Sequence, residues 1–157
     1  MINNIISMVD DTATLSTCKR RKVGAVLTDE EFNVISYGFN YVCGNDCCKR
    51  HDCESGSNLE RCNAIHAEML AVLNKNINGK KLFVNLFPCP VCSKYLALSG
   101  LAELYYNEDY NDMAESAALL LNRRVKIYKY KKDGSIQEVK LVVNDKKEEK
   151  KKKYFGE

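Results

Sequence analysis

The sequence of 157 residues contains no long apolar stretch. No run approaches the ~20 apolar residues that a membrane-spanning helix requires. Its first residues, MINNIISMVDDTATLS, also lack the basic leader and the small-residue cleavage site of a secretory signal. We therefore expect a cytoplasmic protein, in a compartment where disulfide bonds are rare.

A large excess of charge of one sign is also missing from most of the chain. The formal net charge is +3, and the segment DKKEEKKKKYFGE at 145–157 supplies +2 of it, with six lysines against four acidic residues. The rest is nearly neutral, whereas a protein that binds polynucleotides usually has a basic face on its folded part. We expect no nucleic-acid partner, one domain over residues 1–143, and a disordered lysine-rich tail over 144–157.

Histidine and proline are scarce, with two residues of each, but there are eight cysteines. Six cysteines lie between Cys18 and Cys62, and the other two are Cys89 and Cys92. In a reducing compartment, clustered cysteines indicate metal ligands before disulfide bonds.

The spacing of apolar residues predicts strands that alternate with helices, and hence a central sheet with helices on its faces. Segment 40–63 is poor in aliphatic residues, and we predict a Cys-rich inserted loop that a bound metal would hold in place. The predicted helices are 2–15, 65–73, 90–99 and 112–122; the predicted strands are 22–29 and 33–39 as a hairpin, then 81–87, 101–107 and 125–130, with 137–143 as a candidate last edge strand.

Two short motifs, His66-Ala67-Glu68 and Pro88-Cys89-Pro90-Val91-Cys92, carry the chemistry. Histidine and two cysteines are three good ligands for tetrahedral zinc, and they leave the fourth position to water, as in a catalytic site. Pro90 suits the first position of a helix, so we expect Cys89 at the N-cap and Cys92 one turn later. Both sulfur atoms would then lie at the positive end of a helix, which favours the thiolate form.

Glu68 follows His66 by two residues, so in mid-helix their side chains would point roughly 200° apart. They can share a cavity only if His66 lies at the edge of the helix. Zinc with a neutral imidazole and two thiolates is formally neutral and acidifies its water only weakly, so a nearby general base helps. We expect Glu68 to take the water's proton and return it to a ring nitrogen and a leaving amine, which is hydrolytic deamination of a nucleobase.

An H-x-E motif followed by P-C-x-x-C is the signature of the zinc-dependent cytidine deaminase superfamily. Over roughly residues 14–130 the chain resembles the deoxycytidylate (dCMP) deaminase family, through STCKRRKVGAVLTDEEFNVISYGFN, NAIHAEMLAVLN and LFVNLFPCPVCSKYLALSGLAELYYNEDYND. This resemblance implies a three-layer α/β/α fold with a central mixed five-stranded sheet. It also implies hydrolysis of dCMP to dUMP, which supplies thymidylate synthesis.

The resemblance further implies residues that contact the nucleotide. Asn40 ends Gly38-Phe39-Asn40, where the family has G-Y-N, and is expected to contact the sugar. Ala67 of the H-A-E motif is expected beside the substrate, and Tyr110 either packs against base or sugar or is an ordinary loop aromatic. Lys22, one of four consecutive basic residues, is a candidate partner of the phosphate, and a solvated basic turn is the alternative.

The family resemblance also implies a second, structural zinc, a homo-oligomer and nucleotide effectors. The candidate ligands of the second zinc are Cys18, Cys48 and Cys62, with His51 or Cys53 completing the tetrahedron; free thiols are the alternative. The implied assembly is a hexamer or smaller, activated by dCTP and inhibited by dTTP, with Mg²⁺ accompanying the effector. Tyr41 stands where the family has a glycine.

Three further functions remain open at this point. The first is deamination of a related substrate, such as a 5-substituted dCMP or cytidine. The second is deamination of tRNA adenosine, against which the neutral body and the Cys-rich insertion argue. The third is a non-catalytic zinc-binding interaction module, against which Glu68 argues, since a purely structural site has no use for a base.

Overall fold

Helices and strands alternate along the computed structural model, which describes residues 1–43, 57–111 and 113–140. Cys48, His51, Cys53 and the predicted tail 144–157 lie outside these residues. The helices are α1 (Ile2–Thr14), α2 (Ala67–Val72), α3 (Pro90–Leu98) and α4 (Ala114–Asn122). The strands are β1 (Gly24–Thr28), β2 (Val34–Phe39), β3 (Tyr41–Val42), β4 (Ala64–Ile65), β5 (Lys81–Leu86), β6 (Glu103–Glu108), β7 (Lys126–Tyr130) and β8 (Ile136–Val139).

The central sheet is mixed, in the order β2-β1-β5-β6-β7-β8. Only the β5–β6 and β6–β7 pairs are parallel. Within the described residues the sheet has six strands, so the expected number of five was wrong. The reason is a tight turn in which Gly134, at φ +85°, lets the chain reverse direction. The following strand then pairs antiparallel with β7, with Ile127 opposite Val139.

The two faces of the sheet bury different apolar clusters, because successive strand residues point to opposite sides. In β1, Ala25 and Leu27 belong to the larger cluster, which α2, α3 and α4 cover, and Val26 belongs to the smaller one. α1 alone among the described helices covers the smaller cluster, through Ile5, Ile6 and Val9. Layers of helix, sheet and helix result, as expected. No helix in the described part of the chain is long and apolar enough to cross a membrane.

The segment predicted as a loop begins and ends in a small ladder. β3 pairs antiparallel with β4, with Tyr41 opposite Ile65 and Val42 opposite Ala64. The predicted helix start at residue 65 was therefore wrong by two residues, because the ladder keeps Ile65 extended and α2 begins at Ala67. This leaves His66 at the junction of a strand and a helix.

α2 is held close to the edge strand β2 by the absence of a side chain at Gly38. A Cβ atom there would lie 2.3 Å from the carbonyl oxygen of Ala67 and 2.4 Å from the backbone nitrogen of Ala71. These are backbone atoms, so the helix itself would have to move to admit a methyl group. The position of α2, and of the residues at its start, therefore depends on Gly38.

We expect Gly38→Ala to lower the free energy of unfolding by about 1–3 kcal/mol, the usual cost of overpacking. Urea denaturation followed by circular dichroism measures it. Tyr37→Ala is the matched control, because that neighbouring side chain is 52% exposed and its loss should change stability by only about 0.5 kcal/mol. Equal stabilities of the two variants would contradict this account of the packing.

Candidate metal centre and active site

His66 is the N-cap of α2 and has an extended backbone, with φ −72° and ψ 151°. The β3–β4 ladder directs the chain into this position, because Ile65, its last paired residue, immediately precedes His66. An extended residue at the helix start removes the wide angular separation that His66 and Glu68 would have within a regular helix. The expectation that His66 lies at the helix edge is confirmed.

Cys89 is the N-cap of α3, with Pro90 in the first turn, as expected. Its backbone is extended, and its carbonyl oxygen accepts a hydrogen bond from the Ser93 backbone N–H at 2.9 Å. The Ser93 hydroxyl donates to the Pro88 carbonyl at 3.1 Å and so fixes the start of the helix. Cys89 and Cys92 are both buried. The end of β5 and the start of α3 thus place both sulfur atoms in the same buried region.

His66, Cys89 and Cys92 come together with their ligand atoms within 4.8 Å of one another. His66 Nδ1 lies 3.3 Å from the Cys89 sulfur and 3.5 Å from the Cys92 sulfur. Tetrahedral zinc, with bonds of about 2.3 Å to sulfur and about 2.0 Å to nitrogen, puts the two atoms about 3.5 Å apart. The three donors therefore fit zinc in both chemistry and spacing.

The pKa values of these three groups are strongly shifted, because their side chains interact with one another. The pKa of Cys89 falls to about 4, first because its sulfur accepts a hydrogen bond from Cys92 and also because His66 lies beside it. The pKa of His66 rises to about 10, mainly through its hydrogen bond to Cys89. Donation to Cys89, together with burial, raises the pKa of Cys92 well above its ordinary value. A metal bound by these groups would therefore compete with protons on His66 and Cys92.

Glu68 lies beside the three donors, but its carboxylate is not part of the group of mutually close ligand atoms. Its residue is only 4% exposed. Burial raises the pKa of its carboxyl group to about 7, while a hydrogen bond from its own backbone N–H and the charge of His66 oppose the rise. The carboxylate raises the pKa values of His66 and Cys92 in turn, so it acts electrostatically on the same cluster.

Asn40 is buried, and its carboxamide is engaged within the protein. Its Oδ1 accepts hydrogen bonds from the Val23 backbone N–H at 2.8 Å and from the Ser16 hydroxyl, and its Nδ2 donates to the Arg21 carbonyl at 2.6 Å. These bonds tie the end of β2 to the segment before β1. The contact of Asn40 with a sugar stays a prediction.

The basic segment that contains Lys22 lies against the carboxyl ends of β5 and β6. Asn85 in β5 accepts a hydrogen bond from the Gly24 backbone N–H at 3.0 Å and donates to the Lys22 carbonyl at 3.1 Å. Arg21 forms an ion pair with Glu108 at the end of β6. Cys89 follows the same end of β5, so the backbone of the basic segment borders the candidate site.

The other predicted residues occupy varied positions. The Lys22 ammonium donates to the Thr14 carbonyl at 3.4 Å, at the end of α1. Ala67 is fully buried at the start of α2, and Tyr110 is half-buried against the larger apolar cluster. Cys18 is buried and Cys62 is half-buried. The roles of these residues toward a substrate or a second metal stay predictions.

Two features of this region were missed by the sequence reasoning. Asn85 was not singled out, since an isolated asparagine in an apolar strand carries no motif. Cys62 was considered only as a structural metal ligand, yet its sulfur lies 3.8 Å from His66 Nε2. The spacing of four residues between Cys62 and His66 is visible in the sequence, but their contact depends on how the chain bends between them.

The sequence matches a known protein family over more than half of its length. The family described as cytidine and deoxycytidylate deaminase zinc-binding region matches residues 2–108. The chain is 29% identical over 128 residues to the deoxycytidylate deaminase of Saccharomyces cerevisiae, and covers 41% of that protein with 75% of its own length. It is 31% identical over 108 residues to the deoxycytidylate deaminase of Homo sapiens, and covers 61% of it with 64% of its own length. The chain thus spans about half the length of these relatives.

Two solved structures of the dCMP deaminase from the cyanophage S-TIM5 have similar folds. The apo form superposes with a TM-score of 0.65 at 25% identity, covering 82% of this chain and 95% of the phage chain. The complex of that enzyme with dCMP and dUMP superposes with a TM-score of 0.67 at 26% identity, covering 80% and 93% respectively. Together with the match over residues 2–108, they show that the chain belongs to the cytidine and deoxycytidylate deaminase zinc-binding family.

Proposed function

We propose that this chain catalyses the hydrolytic deamination of dCMP to dUMP, with His66, Cys89 and Cys92 holding a catalytic zinc and Glu68 acting as general acid and base. The observation that carries the proposal is the arrangement of a buried carboxylate beside three zinc-compatible donors. A purely structural zinc site has four protein ligands and no neighbouring base, whereas a catalytic site keeps one position open.

The chain's own residues supply the rest of the chemistry. Zinc bound at the three donors would polarise a water molecule for attack on C4 of cytosine. Glu68 removes a proton from that water and delivers it to N3 of the ring, and it then transfers the proton of the new C4 hydroxyl group to the departing amine. The C4–N bond breaks, a C4 carbonyl forms, and the products are dUMP and ammonia. The burial of Glu68 keeps bulk water from competing for these protons.

The choice of dCMP is supported by the relatives. The yeast and human proteins are named deoxycytidylate deaminase. The structure with a TM-score of 0.67 is a dCMP deaminase solved with dCMP and dUMP. The basic segment beside the ends of β5 and β6 is suitably placed for a phosphate, and supports Lys22 as one of its partners. Asn40, Ala67 and Tyr110 are proposed to contact the nucleoside part.

We further propose the structural zinc and the assembly that the family resemblance implies. Cys18 and Cys62, with Cys48 and either His51 or Cys53, would hold the second zinc. The exposed apolar residues Val91, Tyr95 and Leu98 follow helical spacing along α3 and suit contacts in a homo-oligomer, whose size sedimentation velocity measures. We also propose regulation by dCTP and dTTP. In this chain Tyr41, in β3, occupies the position at which the family has a flexible glycine.

The substrate proposal predicts turnover of dCMP in preference to other cytosine compounds. The loss of cytosine absorbance is followed with dCMP, deoxycytidine and dCTP, and inosine formation is followed in a tRNA anticodon stem-loop, each with and without added dCTP or dTTP. Turnover of another substrate without dCMP would keep the zinc chemistry but reject the substrate. No turnover by zinc-loaded protein would favour the interaction module.

We expect Glu68→Gln to bind zinc and remain folded but to lose about 10²–10⁴-fold in kcat, because the amide cannot accept the water's proton. Steady-state dCMP assays and metal analysis of the same sample measure the two properties. Glu60→Gln is the control, since Glu60 is an exposed glutamate in the nearby 3₁₀ turn Leu59–Arg61. Activity of Glu68→Gln within tenfold of the parent would remove Glu68 from the mechanism.

We expect Cys89→Ala and Cys92→Ala each to lose one equivalent of zinc per chain and all measurable activity, since only three protein donors hold the catalytic metal. Inductively coupled plasma mass spectrometry counts the zinc. Cys43→Ala is the control because this cysteine is exposed and lies outside the cluster of donors. Full activity in either variant of the pair would refute the ligand assignment.

A further inference from the structure

The imidazole of His66 contacts sulfur atoms through both of its nitrogen atoms. Nδ1 lies 3.3 Å from Cys89 Sγ and 3.5 Å from Cys92 Sγ. Nε2 lies 3.8 Å from the sulfur of Cys62. Two of these three sulfur atoms belong to the donor cluster, and Cys62 does not. The ring is therefore held between the proposed zinc position and a third cysteine.

The third contact can be explained by the hydrogen-bonding needs of a histidine that binds a metal. A neutral imidazole that offers the lone pair of Nδ1 to a metal carries its proton on Nε2. That N–H needs an acceptor, and partners of this kind orient the ring and strengthen its binding to the metal. A cysteine sulfur can accept such a bond, and 3.8 Å suits an N–H···S contact.

We infer that Cys62 is a positioning residue for the catalytic centre, whose sulfur accepts the Nε2–H of His66 and holds the ring with Nδ1 toward Cys89 and Cys92. The inference deepens the proposed function and rests on its assignment of His66 Nδ1 as a zinc ligand. Cys62 touches neither the substrate nor the catalytic zinc in this role. It acts only through the tautomer and orientation of His66.

The backbone around Cys62 is held on both sides, which gives its sulfur a defined position. Before it, the 3₁₀ turn Leu59–Arg61 is closed by a hydrogen bond of 3.0 Å from the Arg61 N–H to the Asn58 carbonyl. After it, β4 pairs with β3, which is itself tied to the Thr17 hydroxyl through the Val42 N–H at 2.8 Å. The same ladder sets the backbone of His66. Both partners of the contact are therefore positioned by one local unit.

A structural zinc at Cys62 would leave this contact intact. A thiolate bound to a metal keeps lone pairs, so it can still accept the N–H of His66. The two roles nevertheless predict different results, because Cys18 would share the structural zinc and has no hydrogen bond to His66 among the contacts described for the chain. A Cys18 variant therefore separates them.

The experiment compares zinc-loaded Cys62→Val, Cys62→Ser and Cys18→Ser with the parent and with Cys43→Ser, an exposed control. Valine approximates the volume of cysteine without an acceptor, and serine restores one. Chelator competition gives the affinity of the catalytic site, and ¹⁵N NMR of the ring reports the protonation and hydrogen bonding of Nε2. Only two histidines occur in the chain, so the His66 signal is readily assigned.

We expect Cys62→Val to weaken zinc binding at the catalytic site by about 10–100-fold and to shift the Nε2 signal. Cys62→Ser should recover part of both properties, the exposed control Cys43→Ser should leave both unchanged, and Cys18→Ser should change both less than Cys62→Val does. A Cys62→Val affinity within twofold of the parent with an unchanged Nε2 signal would overturn the inference. So would the same loss of affinity in Cys18→Ser, which would assign the effect to a structural zinc.

The inference can still be tested if a variant does not fold or if the parent does not turn over dCMP. If Cys62→Val fails to fold by circular dichroism, Cys62→Ser decides: an Nε2 signal moved from the parent's position supports the contact, and an unchanged signal rejects it. If the parent turns over no dCMP, the proposed substrate fails while the affinity and NMR results still test Cys62. A failure of the substrate assignment is thus distinguishable from a failure of this inference.

Discussion

The contact between His66 and the two buried sulfur atoms of Cys89 and Cys92 is the constraint on which the rest of the site depends. These residues come from two different helix starts, α2 and α3, which must meet within a few ångströms. The β3–β4 ladder positions His66, and the end of β5 positions Cys89. Gly38 lets α2 lie close against β2, so that the helix carrying Glu68 has a fixed position.

Charge balance explains why this cluster can be buried. A zinc ion held by two thiolates and a neutral imidazole would have no net charge, so its burial would avoid the large penalty of an isolated ion. Glu68 adds a buried carboxyl group whose ionised form is disfavoured there. A group that exchanges a proton readily is what the proposed shuttle between water, ring nitrogen and amine requires. The burial of Glu68 and its proposed role therefore follow from the same geometry.

Side-chain amides add directional hydrogen bonds to the apolar packing around the site. Asn40 connects β2 to the segment before β1, and Asn85 connects that segment to β5. The Arg21–Glu108 ion pair adds a link to the end of β6, though both side chains are largely exposed and the pair adds little stability. These hydrogen bonds hold the backbone of the basic segment beside the site, and the charged side chains need not be buried.

Much of the site was determined by the sequence itself. Pro90 predicts the first turn of α3 and Cys89 at its N-cap, because only backbone geometry within a few residues is involved. The separation of His66 and Glu68 likewise requires a helix edge, since no regular helix can bring both to one cavity. The alternation of apolar residues predicts the layers, with helices on both faces of a sheet.

Other features were decided only by tertiary structure, because they depend on residues distant in the chain. The candidate edge strand predicted at 137–143 became the sixth strand, β8, only through its pairing with β7, and the pairing of β4 with β3 removed Ile65 from the predicted helix. The hydrogen bonds of Asn40 and Asn85 join segments 17 to 63 residues apart. The side of the His66 ring that Cys62 contacts follows from the bend between them, which no local propensity encodes.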